Sequence, residues 1–199
     1  MKSAIIFAVI AFALCLSMVG FVRGEGTVVA VDPSSLNITQ DQIGNNFTCS
    51  INITGVANLW AWSLRLNWNP TVLNATNLQE GPFLKTAGST IFGLPSSKGP
   101  GYFRDISDTL LTASTANGSG ILFNVTFEVL AVGHSDITLN ETSLFRFDET
   151  LIPFTASNGS VTVAIPEFSN MLVFVIIFAG ASMAVLIKKR PKHTAQRNS

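Results

Sequence analysis

Residues 58–73 read NLWAWSLRLNWNPTVL, and the spacing of the apolar residues in this stretch decides the fold class. Large apolar side chains occupy every second position from Trp60 to Trp68, and the pair Asn69-Pro70 then interrupts the run. Because successive side chains of a β-strand point to opposite faces, a period of two indicates a strand with one buried face. We therefore predict a strand here that ends at the Asn69-Pro70 turn.

The period of two recurs from residue 27 to residue 163. The longest further stripes begin at Phe47 and Ile121, and turn-forming glycine, proline and asparagine residues separate the segments. No segment of this region has the 3.6-residue period of an amphipathic helix. The pattern predicts one all-β domain over residues 25–164, a β-sandwich of about nine strands. The segments that we assign to strands are 27–31, 47–53, 60–68, 90–92, 102–106, 121–129, 137–139 and 161–163.

The predicted domain is acidic, although the formal net charge of the whole chain is +0. Between Glu25 and Ile165 there are five basic residues against eleven acidic ones, and the last twelve positions hold a separate basic cluster. Nucleic-acid binding requires clustered lysine and arginine on a folded face, where they neutralise phosphates. We therefore expect no nucleic acid among the partners.

The first 24 residues have the pattern of an export signal. Lys2 precedes an apolar run over residues 4–22, and the small residue Gly24 closes the segment. We predict that residues 1–24 are a signal peptide that is removed on export. An uncleaved N-terminal anchor is the alternative, since the apolar run is long for a signal peptide.

A second apolar run lies near the C-terminus and predicts a membrane anchor. Residues 171–187, from Met171 to Ile187, contain no charge, and Lys188 begins a basic tail over residues 188–199. A helix of this length spans about 26 Å, close to the thickness of the hydrocarbon core of a bilayer. Basic flanks remain in the cytoplasm. We therefore expect one transmembrane helix that holds the domain at the cell surface, outside the cytoplasm.

The linker 165–170 between the domain and the apolar run contains Pro166, Glu167 and Phe168. This motif, followed by an apolar span and a basic tail, resembles the PEF-type C-terminal sorting signal of archaeal surface proteins. Ser169 stands where that family usually has a second proline. The resemblance implies a sorting transpeptidase in the membrane, an archaeosortase, which cuts near the motif and transfers the protein to another anchor.

The middle of the chain is rich in acceptor sequences for N-linked glycans. Asn52, for example, lies between Ile51 and Ile53, so the alternation of a strand turns the asparagine to the solvent. We predict a glycosylated exterior; the alternative is that these asparagines are ordinary polar residues on the solvated face of a sheet. The eight N-x-S/T sequons start at Asn37, Asn46, Asn52, Asn74, Asn117, Asn124, Asn140 and Asn158.

Three landmarks in this order resemble the cohesin family. Gly44 leads into an early strand at residues 47–54; Trp68-Asn69-Pro70 stands in place of an aromatic-Asp-Pro motif; and residues 118–132, GSGILFNVTFEVLAV, are similar to the glycine-rich entry of a late strand. The resemblance covers residues 27–164 and implies a jelly-roll β-sandwich. It also implies non-catalytic binding, in the best-known members to calcium-loaded dockerin modules of polysaccharide-degrading complexes.

Two hypotheses for the function follow. The favoured one is a surface-anchored interaction module that binds another surface protein and contributes adhesion or envelope assembly. The alternative is a carbohydrate-binding module for a polysaccharide, because such modules hold sugar rings on aromatic planes. Trp60 and Tyr102 are the candidate carbohydrate contacts, whereas core packing is the simpler explanation for the tryptophans of residues 58–73.

Catalysis on glycans requires two carboxylates that converge on one bond. The acidic residues of the predicted loops show no spacing that indicates such a pair, and His134 is the only histidine of the domain. We expect no enzyme activity, no catalytic residue and no cofactor. Calcium is the one ion that clustered loop oxygens could hold. The two candidate clusters are Asp105 with Asp108, and Asp148 with Glu149.

Overall fold

The structure is a computed structural model that describes residues 26–166. The predicted signal peptide, transmembrane helix and basic tail lie outside these residues, as do Glu167 and Phe168 of the predicted sorting motif. Pro166, the first residue of that motif, is exposed. Within residues 26–166, no helix has the length and apolar character that crossing a membrane requires.

The described residues form β-strands joined by turns and by two short 3-10 helices, Gln40–Gln42 and Leu84–Thr86. The strands are β1 (Thr27–Asp32), β2 (Ser35–Thr39), β3 (Asn46–Leu59), β4 (Ala61–Asn67), β5 (Leu73–Glu80), β6 (Thr90–Gly93), β7 (Ser97–Gly99), β8 (Tyr102–Leu110), β9 (Ala116–Val129), β10 (Gly133–Phe145), β11 (Phe154–Ser157) and β12 (Gly159–Ala164).

The strands form two sheets that pack face to face. The five-stranded sheet has the order β11-β1-β3-β9-β5. The seven-stranded sheet has the order β2-β12-β10-β4-β8-β6, and β7 pairs with β8. The predicted fold class, an all-β sandwich, is therefore confirmed.

The core between the sheets is built from the residues that the alternation assigned to it. Trp62 of β4 stacks on Phe123 of β9 with ring centroids 5.5 Å apart. Trp68 packs edge-on against Phe127, and its indole Nε1 donates to the carbonyl of Leu73 at 3.0 Å. These contacts join the two sheets, and burying each such side chain contributes about 1.5–3 kcal/mol. Cys49 is buried in the same core, where desolvation and then the charge of Asp32 raise the pKa of its thiol to about 12.

The predicted number of about nine strands was wrong, because the structure has twelve among residues 26–166. The N-terminal segment forms two strands, β1 and β2, which belong to different sheets and are separated by a break at Pro33. Strand β5 reads LNATNLQE and β11 reads FTAS, and neither has the apolar alternation that the prediction required. Both lie at the edge of the five-stranded sheet, where one neighbour is enough to hold a polar strand.

The Asn69-Pro70 turn ends β4 as predicted and fixes where the chain crosses between the sheets. Asn69 Oδ1 accepts from the backbone nitrogen of Thr71 at 3.1 Å, and its Nδ2 donates to the carbonyl of His134 at 3.0 Å. The side chain therefore caps its own turn and ties it to the start of β10. An asparagine here provides both an acceptor and a donor, which an aspartate would not.

Candidate protein-binding face

Asp105 and Asp108, the first pair of carboxylates proposed as calcium ligands, lie in different environments. Asp105 is exposed and accepts a hydrogen bond from Ser96, whereas Asp108 is buried in the core. Asp148 is exposed and accepts hydrogen bonds from the hydroxyl and from the backbone nitrogen of Thr150, and these bonds, the hydroxyl first, hold its pKa below the usual range. Among residues 26–166, no group of three or more histidine, cysteine, aspartate or glutamate side chains could hold a metal ion.

His134 lies on the exposed side of β10. Its ring nitrogens contact the hydroxyl of Thr162 at 3.0 Å and a carboxylate oxygen of Asp136 at 3.1 Å. Thr162 is the register partner of His134 on β12. The contacts therefore link two neighbouring strands on a solvated surface.

The two aromatic residues proposed as carbohydrate contacts lie far apart. Trp60 precedes β4, is half-buried, and donates from Nε1 to the carbonyl of Thr112 at 3.0 Å. Tyr102 begins β8 opposite Asn67, at the other end of β4. Along β4, the position of Trp60 and the position opposite Tyr102 are seven strand residues apart, which corresponds to about 23 Å. The structure therefore does not join Trp60 and Tyr102 into one stacking platform.

The eight sequons divide between the surfaces of the sandwich. Asn46 and Asn74 are both register partners of Glu128, and Asn124 is the register partner of Ser50. Together with Asn52 they lie on the outward side of the five-stranded sheet. Of the remaining four sequons, Asn37 and Asn140 lie on the seven-stranded sheet. Asn117 lies at the start of β9, and Asn158 lies in the turn between β11 and β12. All are exposed except Asn52 and Asn124, which are half-buried.

The outward side of the seven-stranded sheet has a row of small side chains at its centre. Ser63 of β4 pairs in register with Ser143 of β10 on one side and with Ser107 of β8 on the other. Gly93 of β6 pairs with Ser107 and extends the row. We call these four residues the serine trough. Since each is small, a partner can approach the sheet more closely here than on either side.

One side of the trough is polar and charged. Arg65, two residues along β4, contacts a carboxylate oxygen of Glu141 at 3.2 Å. Its guanidinium also lies 5.4 Å from the ring centroid of Tyr102. Asn140 donates from Nδ2 to Asn67 at 3.1 Å and completes the group. We call these five residues the polar bank.

The opposite side of the trough is apolar. Ala61 of β4 pairs with Phe145 of β10, which in turn forms a bridge to Leu151. Across β8, Thr109 connects Ala61 to Ile91 of β6. Ile91 is 60% exposed and Leu151 is 62% exposed. We call Ala61, Ile91, Phe145 and Leu151 the apolar bank.

This zoned face also lacks acceptor sequences over most of its width. None of β4, β6, β7 and β8 contains a sequon, and Asn140 on β10 is the one sequon within the polar bank. An apolar bank, a serine trough and a polar bank side by side on one sheet face are suited to docking another protein. No local sequence pattern predicts the trough, because its members come from four strands and their alignment depends on long-range register.

Comparisons with known proteins agree with this architecture. The family model described as the cohesin domain matches residues 34–163. No curated protein matches the sequence.

Solved structures similar to this chain include cohesins from an archaeon and from bacteria. The non-cellulosomal cohesin from the hyperthermophilic archaeon Archaeoglobus fulgidus is 17% identical, with a TM-score of 0.55, and the match covers 73% of this chain and 96% of that chain. The sixth cohesin of scaffoldin B from Acetivibrio cellulolyticus, in complex with a Cel5 dockerin mutant, is 13% identical, with a TM-score of 0.56 and coverage of 70% and 99%. CaCohA2 from Clostridium acetobutylicum is 18% identical, with a TM-score of 0.55 and coverage of 72% and 94%.

At these identities the solved structures show the shared fold, while the family model matches most of the chain. The chain belongs to the cohesin-domain family.

Proposed function

We propose that this chain is a cell-surface, non-catalytic protein-binding module that holds a helical segment of a partner protein in the serine trough. Membership of the cohesin-domain family supports a non-catalytic interaction function. The observation that carries the proposal is the zoned outward side of the seven-stranded sheet, where Ser63, Ser107 and Ser143 align between the apolar and polar banks.

The dimensions of the face fit a helix. Ala61 and Arg65 mark the two banks on β4, and four residues of strand separate them, which is about 13 Å. An α-helix with its side chains is about 10–12 Å wide. From β10 to β6 the trough crosses about 14 Å of sheet, a length equal to about nine helical residues. A helix lying in the trough would place apolar residues against Ile91 and Leu151 and polar ones against Arg65 and Glu141.

Dockerin-type modules are the partner class that the relatives suggest. Several of the similar structures are complexes of a cohesin with a dockerin. In one of them, the third cohesin ScaC of Acetivibrio cellulolyticus binds a ScaB dockerin whose C-terminal helix carries a mutation. A helix-bearing module is what the trough accommodates.

We also propose that the domain is displayed outside the cell, after removal of residues 1–24, and is held by the helix at residues 171–187. The acidic domain, the basic tail after Ile187 and the eight sequons support this orientation. The motif Pro166-Glu167-Phe168 supports processing by a sorting transpeptidase. Surface display and glycosylation have a common test.

Intact-mass analysis of protein taken from its native envelope measures both the removal of the signal peptide and the attached glycan mass. We expect a mass that lacks residues 1–24 and carries additional glycan mass on several of the eight sequons. Peptide mapping then assigns glycans to the outward side of the five-stranded sheet, with Asn46 and Asn74 as the most exposed acceptors there. A mass equal to the bare, full-length chain would contradict both display and glycosylation.

Calorimetric titration of the fragment 25–165 tests the binding function. The fragment is titrated with a panel of calcium-loaded dockerin modules and, separately, with a panel of soluble polysaccharides. We expect saturable binding of at least one dockerin module. Saturable binding of a polysaccharide that is weakened by Trp60→Ala or Tyr102→Ala, with no dockerin bound, would favour the carbohydrate-binding alternative instead.

A further inference from the structure

The loops at one end of the sandwich expose large apolar side chains. This end holds the β2–β3, β4–β5, β7–β8 and β9–β10 connections and the last residues of the domain, and we call it the exit end because the chain leaves the sandwich there. Its exposed hydrophobic residues are Ile43 (39%), Leu130 (41%), Val132 (42%) and Ile165 (61%).

These four side chains come from loops that contact one another. Gly44, next to Ile43, donates from its backbone nitrogen to the carbonyl of Val129, next to Leu130, at 2.8 Å. Val163 pairs with Gly133, which places the residues just beyond β12 beside Val132. The four residues therefore form one patch and not isolated exposures.

The loops of the exit end are almost uncharged, although Lys98 of β7 and Glu128 of β9 lie just inside them. Asp41 is the only charged residue in the described parts of these loops, residues 40–45, 68–72, 99–101, 130–132 and 165–166. An apolar, weakly charged patch contacts hydrocarbon more favourably than it contacts water or an anionic surface.

The chain beyond Ile165 identifies what covers this patch. Five residues, 166–170, separate Ile165 from Met171, where the proposed transmembrane helix begins. Fully extended, the six Cα–Cα steps from Ile165 to Met171 reach about 22 Å at most. The anchor therefore holds the exit end within that distance of the bilayer, whereas the apolar bank lies at the opposite end of β4.

We propose that the exit end rests on the outer surface of the bilayer, with Ile43, Leu130, Val132 and Ile165 inserted at the boundary between headgroups and acyl chains. The inference rests on the proposed membrane anchor. In this orientation the strands run away from the bilayer surface, and the apolar bank at the opposite end of β4 is directed away from the membrane toward a partner. Because the patch lacks lysine and arginine, its contact with lipid is apolar and requires no anionic lipid.

Site-directed fluorescence on the chain without its predicted signal peptide, residues 25–199, tests whether the exit end rests on the bilayer. Val132→Cys and, as matched control, Phe147→Cys are labelled with an environment-sensitive fluorophore in this chain, which lacks Cys15, and reconstituted in phosphatidylcholine vesicles. Phe147 is 52% exposed and follows β10 at the opposite end. The remaining thiol, Cys49, is buried with its pKa raised to about 12, so it is protected from labelling. Leu130→Cys serves as a second site if Val132→Cys does not fold.

We expect the label at position 132 to emit at shorter wavelength and to be quenched severalfold more by nitroxide-bearing lipid than the label at position 147. The result should be the same at low and high salt. Equal, water-like emission from both labels in a chain that co-sediments with the vesicles after alkaline carbonate would overturn the seating and leave the anchor intact.

Two further outcomes also decide against the proposal. Release of the chain from the vesicles by carbonate would show that residues 171–187 do not anchor it in the bilayer, and this would also contradict the proposed contact of the exit end with lipid. A blue shift at position 132 that increases with protein density at constant lipid would assign the patch to a second copy of the chain.

Discussion

Asp108 is a carboxyl group that faces the core of the sandwich. It is 1% exposed, its Oδ1 accepts from the backbone nitrogen of Thr109 at 2.9 Å, and its Oδ2 has no hydrogen-bond partner. Burial, and then the charge of Glu80, raise its pKa to about 6. Trp62, its register partner on β4, also has a buried Nε1 without a partner. The protonated form of Asp108 is therefore the form that the core accommodates best.

This burial predicts a loss of stability as pH rises. The pKa of Asp108 is higher in the folded chain than the ordinary value of 3.8, so the folded state binds more protons between the two values. With respect to this group alone, the free energy of unfolding is highest below pH 4 and falls by about 3 kcal/mol as pH rises to about 7. Asp108→Asn should remove most of this loss, as measured by urea unfolding of the variant and the parent at pH 5 and pH 8.

The control for this prediction is Asp105→Asn, which changes an exposed carboxylate on the same strand. It should leave the difference in stability between pH 5 and pH 8 unchanged. An Asp108→Asn variant that loses as much stability as the parent between these pH values would show that another group is responsible.

At the scale of elements, the strands that the sequence predicts are the ones with a complete apolar stripe. Strands β4 and β9 alternate between a buried and a solvated face along most of their length, so their residues alone indicate their conformation. Strand β5 has a polar sequence and is held by hydrogen bonds to β9, more than forty residues later. The conformation of such a strand depends on its partner strand, and its own sequence gives little indication that it is a strand.

The turn between β7 and β8 shows how a glycine positions two elements. Gly101 has φ 82, and its carbonyl accepts from the backbone nitrogen of Trp68 at 2.9 Å. A Cβ added to Gly101 would lie 2.7 Å from the carbonyl oxygen of Trp68 and 2.8 Å from Cδ of Pro70. The Gly99-Pro100-Gly101 turn therefore fits against the turn that ends β4.

Gly101→Ala should lower the free energy of unfolding by about 2 kcal/mol or more, because strain at positive φ adds to the clash. Gly44→Ala is the matched control: Gly44 has φ 87 and nothing within 4 Å of an added Cβ. It should cost only about 1 kcal/mol. Equal losses in chemical unfolding of the two variants would show that the close approach at Gly101 contributes nothing.

The candidate site was only partly predictable from the sequence. The outward orientation of Asn52 and Asn124 follows from the strand period, and the structure agrees with it. The serine trough could not be predicted, because Ser63, Ser107 and Ser143 are separated by dozens of residues and meet only through the register of three strands. Local alternation assigns a residue to a face, but register decides its neighbours.

At the scale of the whole molecule, the two outward sides of the sandwich differ in chemistry. The five-stranded sheet presents Asn46, Asn52, Asn74 and Asn124, each within a sequon. The seven-stranded sheet presents the apolar bank, the serine trough and the polar bank. Glycans on the first side would leave most of the second side free, and the two sides then serve different roles, one facing solvent and one facing the partner.

The most direct test of partner binding in the serine trough is a comparison of two arginine substitutions in the calorimetric titration with a dockerin module. Ser63→Arg fills the centre of the serine trough, and Thr48→Arg places the same side chain on the outward side of the five-stranded sheet, where Thr48 is exposed. Both should fold, as checked by their thermal unfolding. If the partner binds in the serine trough, Ser63→Arg weakens binding at least tenfold while Thr48→Arg changes it less than twofold. Weaker binding by Thr48→Arg with full binding by Ser63→Arg would place the partner on the five-stranded sheet and contradict binding in the serine trough.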